Sequence, residues 1–148
     1  MGEAAGSDKR YSFRTNADGK ILHVFESAID LLSYMTVTHL HTGRWLADPM
    51  ISLGGVYAPG TNRHATSIPA ALDNMLQNHP ETSIISLHLD NDYAGRRATE
   101  SITEMLGVRY DTRDEPPPVG KDYNDYLMNI CQKGRSRQMG AARYDYPR

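Results

Sequence analysis

Two aspartates separated by one residue follow a run that is typical of a buried strand. Asp90 and Asp92 come directly after the largely apolar residues 83–89, and Gly95 allows a tight backbone turn behind them. Open α/β sheets bind ligands at the carboxyl ends of their strands, and alternate strand residues share a face. Two carboxylates roughly 4–6 Å apart raise each other's pKa unless a cation lies between them. The pair therefore predicts a site for Mg²⁺, which prefers a few carboxylates, retained waters and substrate phosphates.

The composition of the chain excludes several classes of protein. At 148 residues it has room for one domain with a real core. The net charge of −2 does not indicate a nucleic-acid-binding protein, but it permits one because an acidic metal site can offset basic patches. A single cysteine, Cys131, excludes disulfide frameworks and zinc ribbons within this chain. No apolar stretch approaches the roughly 20 residues that span a bilayer, so we expect a cytoplasmic protein with no membrane contact.

Short apolar runs alternate with amphipathic stretches along the chain. Strands are predicted at residues 21–25, 50–53, 84–89 and 108–111. Helices are predicted after Ser27, from Ser67, over residues 93–106 and, as a short element, after residue 120. This alternation indicates a doubly wound α/β fold, with a four-stranded parallel sheet, right-handed crossovers and helices on both faces.

The two ends of the chain differ from this core in composition. Residues 1–10 are small and polar and are expected to form a disordered tail. Residues 11–13 alternate and precede a turn, so we expect a hairpin that adds an antiparallel edge strand beside residues 21–25. The domain is predicted to cover residues 11–131. Residues 132–148 hold five basic side chains against one acid and are predicted to be a basic, flexible tail.

Acidic residues are predicted at the ends of neighbouring strands. Glu26 ends the first core strand, Asp90 and Asp92 end the third, and Asp122 opens a later loop. Because parallel strands bring their carboxyl ends to one edge of a sheet, these residues can meet around one ion.

Small and basic residues are predicted beside this acidic edge. Gly54 and Gly55 stop the second strand and let a substrate phosphate approach the backbone. Arg96 and Arg97 open the helix after the aspartates and can contact phosphate, although exposed helix arginines are equally common.

Structural explanations remain open for several of these residues. Asp92 can cap the helix that follows it, and Glu26 can be a first-turn acid favoured by the helix dipole. Asp30 is expected to be a solvated helix residue because it lies a turn past the strand end. His23 and His88 lie inside strands and are expected to be packed or to face a polar layer.

Three segments, in order along the chain, carry a family resemblance. They are residues 25–30 (Phe-Glu-Ser-Ala-Ile-Asp), 90–96 (Asp-Asn-Asp-Tyr-Ala-Gly-Arg) and 120–125 (Gly-Lys-Asp-Tyr-Asn-Asp). The first two resemble the motifs of the Toprim domain shared by topoisomerases and primases, and the third is similar to the Gly-x-Asp-x-x-Asp segment of bacterial-type primases. The resemblance covers residues 21–127 and is strongest to Toprim-like domains of primase-like and mobilisation proteins of mobile elements.

The resemblance implies a Toprim-type, Rossmann-like fold with a site for Mg²⁺, or Mn²⁺ in its place. The implied chemistry is phosphoryl or nucleotidyl transfer with nucleotides on single-stranded DNA or RNA. Glu26 would be the general acid/base or a metal ligand, Asp90 and Asp92 metal ligands, and Asp122 an additional acid that helps to hold a second ion. The predicted contacts to nucleic acid or phosphate are Gly54, Gly55, Arg96, Arg97 and Lys121.

The leading functional hypothesis is the primase-like catalytic core of a replication or mobile-element protein. One alternative is a Toprim nuclease, which would use the same acids to hydrolyse phosphodiesters. Another is a metal- and DNA-binding module that is inactive without its partner domains. Related primases carry a zinc-binding module and a basic subdomain, so further domains are expected outside this chain, including a zinc-binding module and a helicase or relaxase partner.

Overall fold

Four parallel strands and four helices alternate along the described part of the chain, which comprises Asp8, residues 10–55 and residues 67–141 of the computed structural model. The strands are β1 (Ile21–Phe25), β2 (Met50–Ser52), β3 (Ile84–His88) and β4 (Asp111–Asp114). The helices are α1 (Ala28–Thr42), α2 (Ala70–Asn78), α3 (Tyr93–Leu106) and α4 (Tyr123–Ala141). The strands form one sheet in the order β2-β1-β3-β4, with parallel pairing throughout. The predicted α/β fold with a four-stranded parallel sheet is therefore confirmed.

The sheet has an apolar core on each face because side chains alternate along its strands. Val24 lies on one face, in a buried cluster with side chains of α2 and with Ile102 of α3. The neighbouring Phe25 lies on the other face, in a cluster with Leu31 of α1 and Tyr123 of α4. Helices thus cover both faces, as predicted. None of the helices in the described ranges is long and apolar enough to cross a bilayer.

Helix α1 begins where the sequence predicts, shortly after the end of β1. Ser27 is its N-cap, with an extended backbone and a hydroxyl that accepts the Asp30 N–H at 3.2 Å. The helix ends at Gly43, whose φ of 70° lies in the left-handed region and whose N–H donates to the His39 carbonyl at 2.8 Å.

The amino-terminal segment lies antiparallel to β2 and not in a hairpin with β1. Arg14 and Ile51 form an isolated antiparallel bridge. A flanking hydrogen bond runs from the Ser52 N–H to the Phe13 carbonyl at 2.9 Å. The predicted hairpin is wrong because β1 already pairs with a strand on each side, β2 and β3. The amino-terminal segment nevertheless lies antiparallel at an edge of the sheet, as predicted.

Strand β4 lies further along the chain than predicted. It begins at Asp111, whereas the sequence predicted a strand over residues 108–111. The chain continues to turn after α3, where the Tyr110 N–H donates to the Leu106 carbonyl at 3.0 Å. β4 is charged and mostly exposed, so it lacks the apolar alternation that marks a strand in sequence.

Helix α4 is longer than the short element predicted after residue 120. It runs to Ala141 and so includes residues 132–141 of the predicted basic tail. Residues 1–7, residue 9 and residues 142–148 lie outside the described residues, as do residues 56–66. The disorder expected at the two ends of the chain therefore stays a prediction.

Candidate metal and phosphate site

The two aspartates after β3 occupy different environments at the carboxyl edge of the sheet. Asp90 is almost fully buried, with 7% of the residue exposed. Asp92 is the N-cap of α3, since its backbone is extended and its Oδ1 accepts the Gly95 N–H at 2.9 Å. The capping explanation for Asp92 is thus confirmed. It leaves the second oxygen of the same carboxylate available to a cation.

A lysine from the loop before α4 lies between these two carboxylates. Lys121 Nζ is 3.0 Å from Asp90 Oδ2 and 3.2 Å from Asp92 Oδ2. Two hydrogen bonds hold its main chain: the Asn91 N–H donates to the Lys121 carbonyl at 2.7 Å, and the Lys121 N–H donates to Asp125 Oδ2 at 3.1 Å. The sequence predicts a cation between the two aspartates, and in the structure the Lys121 ammonium occupies that position.

Gly95 is required by a close approach of α3 to the backbone of Asp90. A Cβ atom on Gly95 would lie 2.1 Å from the Asp90 carbonyl oxygen and 2.8 Å from its carbonyl carbon. Neither atom belongs to a flexible side chain that could move aside. The predicted tight turn at Gly95 is wrong, because Gly95 lies in the first turn of α3 and its φ is not positive. The residue is needed instead because no side chain fits against the Asp90 backbone.

The pKa values of the two aspartates shift in opposite directions. Burial is the main cause that raises the pKa of Asp90, and the charges of Asp30 and Asp122 raise it further while Lys121 opposes them. The hydrogen bond from the Gly95 N–H is the main cause that lowers the pKa of Asp92, and Lys121 lowers it further. Asp90 thus gains more than Asp92 from a cation, because its charge is otherwise disfavoured.

Asp30 belongs to this acidic edge, although its position a turn past the strand end predicts a solvated helix residue. It is 6% exposed. The Ser27 hydroxyl donates to its carboxylate, and the Asn124 N–H donates to its Oδ1 at 3.4 Å. The expectation was wrong because α4 packs against the first turn of α1 and covers it. The spacing of Ser27 and Asp30, which is that of a capping box, is the sequence signal that could have placed this carboxylate.

Glu26 and the two glycines lie at the same edge, on β1 and β2. The last residue of β1, Phe25, pairs in parallel with His88, so Glu26 and the aspartates after β3 emerge at neighbouring positions. The Gly55 N–H donates to the Glu26 carbonyl at 3.0 Å. Gly54 and Gly55 have φ values of 71° and 102°, a region that residues with side chains rarely adopt. The hydrogen bond places Gly55 beside Glu26, and the contact of both glycines with phosphate stays a prediction.

Asp122 caps the last helix and is not part of a closed metal cage. Its Oδ1 accepts the Asp125 N–H at 2.7 Å. Among the residues that the structure describes, no three His, Cys, Asp or Glu side chains are grouped so that they could hold a metal ion. Asp90 and Asp92 share one cation position, and Mg²⁺ is commonly held by one or two carboxylates, waters and substrate phosphates. The donor set therefore fits a divalent ion, with Glu26 and Asp122 remaining predicted ligands.

The two predicted phosphate-binding arginines make different contacts. The Arg96 guanidinium donates to both carboxylate oxygens of Asp114, at 2.8 and 2.9 Å, and to the Leu89 carbonyl at 3.0 Å. It therefore ties the end of β3 to the end of β4. Arg97 is partly exposed and pairs with Glu100 at 2.7 Å on the same helix. A phosphate contact by either arginine stays a prediction.

A buried layer of rings lies on the α1 and α4 face of the sheet, just before the aspartates. His88 Nε2 is 2.8 Å from His23 Nδ1, and its ring stacks on Phe25 with centroids 4.8 Å apart. His88 Nδ1 is 3.0 Å from the Glu115 carbonyl oxygen. Burial, with a smaller effect of His23, lowers the pKa of His88 to about 3. Of the two environments predicted for these histidines, packed or facing a polar layer, the structure shows packing, since both are buried among rings.

The part of this chain that matches known proteins contains the strands and helices that form the candidate site. The model of the Toprim-like family matches residues 23–127, well over half of the chain. The crystal structure of the primase fragment of the bacteriophage T7 primase-helicase protein is similar, with a TM-score of 0.54 and 25% sequence identity. That match covers 82% of this chain and 43% of the T7 chain, so the chain spans less than half of the fragment it resembles. No curated protein matches the sequence.

Proposed function

The chain belongs to the Toprim-like family and is a Toprim domain of the primase-like type, and from this premise we propose that it is the Mg²⁺-dependent catalytic core of a primase-like protein. Its general field is nucleic-acid metabolism, and Toprim domains generally bind divalent metal ions. The proposed reaction is nucleotidyl transfer. A nucleotide hydroxyl attacks the α-phosphorus of a nucleoside triphosphate, the new P–O bond forms, and pyrophosphate leaves.

One observation carries this proposal. The carboxylates of Asp90 and Asp92 turn one oxygen each toward the same ammonium nitrogen, at 3.0 and 3.2 Å. Two acids that share a cation at the carboxyl edge of a parallel sheet form the kind of site that binds a hard divalent ion. When bound, such an ion stabilises the negative charge that develops on transferring phosphate oxygens.

The remaining residues at this edge support the chemistry from fixed positions. Glu26, at the neighbouring strand end, is proposed to accept the proton of the attacking hydroxyl. Gly54 and Gly55 leave space beside it for a phosphate, because neither carries a side chain. Asp122 and Asp30 keep the edge strongly acidic, since both raise the pKa of Asp90.

The proposal extends to partners outside this chain. The matching crystal structure is a fragment of a primase-helicase protein, and the chain covers 43% of it. We infer that the domain acts with a zinc-binding module and with a helicase or relaxase partner, in the cytoplasm, as part of a replication or mobile-element protein. Its substrates would be nucleotides and a single-stranded DNA or RNA template.

Titration calorimetry with Mg²⁺ and Mn²⁺ tests the metal site directly. Asp92→Asn retains a good helix-capping side chain, so its fold should persist while divalent-ion affinity falls at least about tenfold. Asp73→Asn is the matched control, because Asp73 is an exposed acid on α2. Unchanged affinity in Asp92→Asn would show that the ligand assignment is wrong.

Product analysis separates this function from its alternatives. Labelled nucleotides with a single-stranded template should yield chain-length-resolved products that disappear in Glu26→Gln. Shortened labelled oligonucleotides without new synthesis would indicate a nuclease that uses the same acids. Retained metal and DNA binding with neither product would indicate a binding module that needs its partner domains.

A further inference from the structure

Lys121 occupies the position between the site aspartates that the proposed function gives to a divalent ion. Resting on that function, we propose that Lys121 is a displaceable counter-ion: its ammonium competes with the divalent ion for Asp90 and Asp92 and, once displaced, binds a phosphate of the substrate. The sequence predicts only that Lys121 contacts phosphate. In the structure its ammonium contacts Asp90 and Asp92, and it must leave both to reach a phosphate.

The exposure of the three side chains favours displacement from the solvent side. The Lys121 side chain is 54% exposed, whereas the Asp90 side chain is 9% exposed and the Asp92 side chain 37%. Ion pairs with an exposed partner are weak because water and salt compete for them. A doubly charged ion with its own water ligands can therefore replace the ammonium without any change in the buried carboxylate.

The main chain around Lys121 is fixed, so only the side chain has to move. The loop is held by the hydrogen bonds of Lys121 to Asn91 and Asp125, at 2.7 and 3.1 Å. Gly120 packs against Asp125 so closely that a Cβ atom on it would lie 2.6 Å from the Asp125 Cβ. The lysine stem has four flexible carbons. A displaced ammonium thus stays close to whatever binds at the aspartates.

Charge repulsion then directs the ammonium toward phosphate. A divalent ion on Asp90 and Asp92 repels a neighbouring positive charge at the same oxygens. Phosphate oxygens that contact the ion bring negative charge to the same place. Lys121 therefore neutralises the carboxylates before metal binding and the substrate after it.

The test compares Lys121→Met with Lys20→Met, an exposed lysine directly before β1 at the opposite edge of the sheet. Calorimetry with Mn²⁺ alone should show about fivefold tighter binding in Lys121→Met and no change in Lys20→Met. In EDTA, Lys121→Met should unfold at a lower temperature than wild type, because the two carboxylates lose their cation. Saturating Mn²⁺ should raise its unfolding temperature by more than that of wild type. Lys121→Arg keeps the positive charge and should retain an affinity close to wild type.

Binding of a fluorescent oligo-dT tests the second half of the proposal. In saturating Mg²⁺, the slope of log binding constant against log salt concentration should be smaller in magnitude by about 0.7 in Lys121→Met and unchanged in Lys20→Met. This difference is the value of one phosphate contact on a single strand. In EDTA the slope should be the same in all three proteins. If wild type binds Mn²⁺ and Lys121→Met binds it with unchanged or lower affinity, the proposal that Lys121 competes with the ion is overturned. The metal site itself is then upheld by the wild-type binding. Absence of Mn²⁺ binding in wild type would instead refute the proposed function itself.

Discussion

Replacing Gly95 by alanine tests whether the backbone contact between α3 and Asp90 positions the candidate site. The added Cβ would lie 2.1 Å from the Asp90 carbonyl oxygen, whereas ordinary contacts begin at 3.4 Å. The helix or the turn must therefore move by more than 1 Å. Because both sides of the contact are backbone, no side chain can rotate to relieve it.

Two opposing effects set the magnitude of the change. Alanine is favoured over glycine inside a helix by about 1 kcal/mol. Overpacking costs about 1–3 kcal/mol and sometimes more, and a contact this short between backbone atoms belongs at the upper end. We expect Gly95→Ala to lower the free energy of unfolding by about 2 kcal/mol, which is about 4–8 °C in unfolding temperature for a domain of this size.

Gly134→Ala is the matched control, because Gly134 also lies in a helix and a Cβ atom there would meet nothing within 4 Å. It should be neutral or stabilising by up to about 1 kcal/mol. Urea unfolding of both variants and wild type measures the difference, and calorimetry with Mn²⁺ should show weaker binding only in Gly95→Ala. Equal or greater stability of Gly95→Ala would refute the packing argument.

Further predictions follow from the pKa shifts and charges of the same region. Asp90→Asn should leave stability unchanged or raise it near neutral pH, because burial disfavours the ionised Asp90. Asp92→Asn should lower stability by a few tenths of a kcal/mol, because its lowered pKa marks a stabilised charge that is half exposed; urea titrations check both signs. His88 has a folded pKa of about 3 against a usual 6.5, so stability is complete above pH 6.5 and falls as the pH drops toward 3, by at most about 1.4 kcal/mol per unit. His88→Gln should flatten that decrease, and an unchanged pH profile would contradict the assignment. Single-stranded DNA should bind weakly, with a log–log salt slope of about −2 to −4, and more tightly in Mg²⁺ than in EDTA when followed by anisotropy; tight binding in EDTA that ignores Asp90→Asn would place the nucleic-acid surface elsewhere.

Features that depend on neighbouring residues were predictable from the sequence. β1, β3 and α3 follow from apolar runs, alternation and caps, which are set by contacts within a few residues. The position of Asp90 and Asp92 at a strand end depends on the same local signals. The parallel sheet followed from the regular alternation of strands and helices.

Features that depend on distant packing were decided only by the tertiary structure. β4 is a charged edge strand that its pairing with β3 defines, and the segment before β1 pairs with β2 because β1 has no free side. Asp30 is buried because α4 covers the first turn of α1. Lys121 lies between the aspartates because the loop before α4 is hydrogen-bonded to the turn after β3. Sequence spacing does not determine these long-range contacts, since chain segments far apart meet only when the sheet and its helices have packed. The spacing of Ser27 and Asp30 signals their local contact but not the burial of Asp30 under α4.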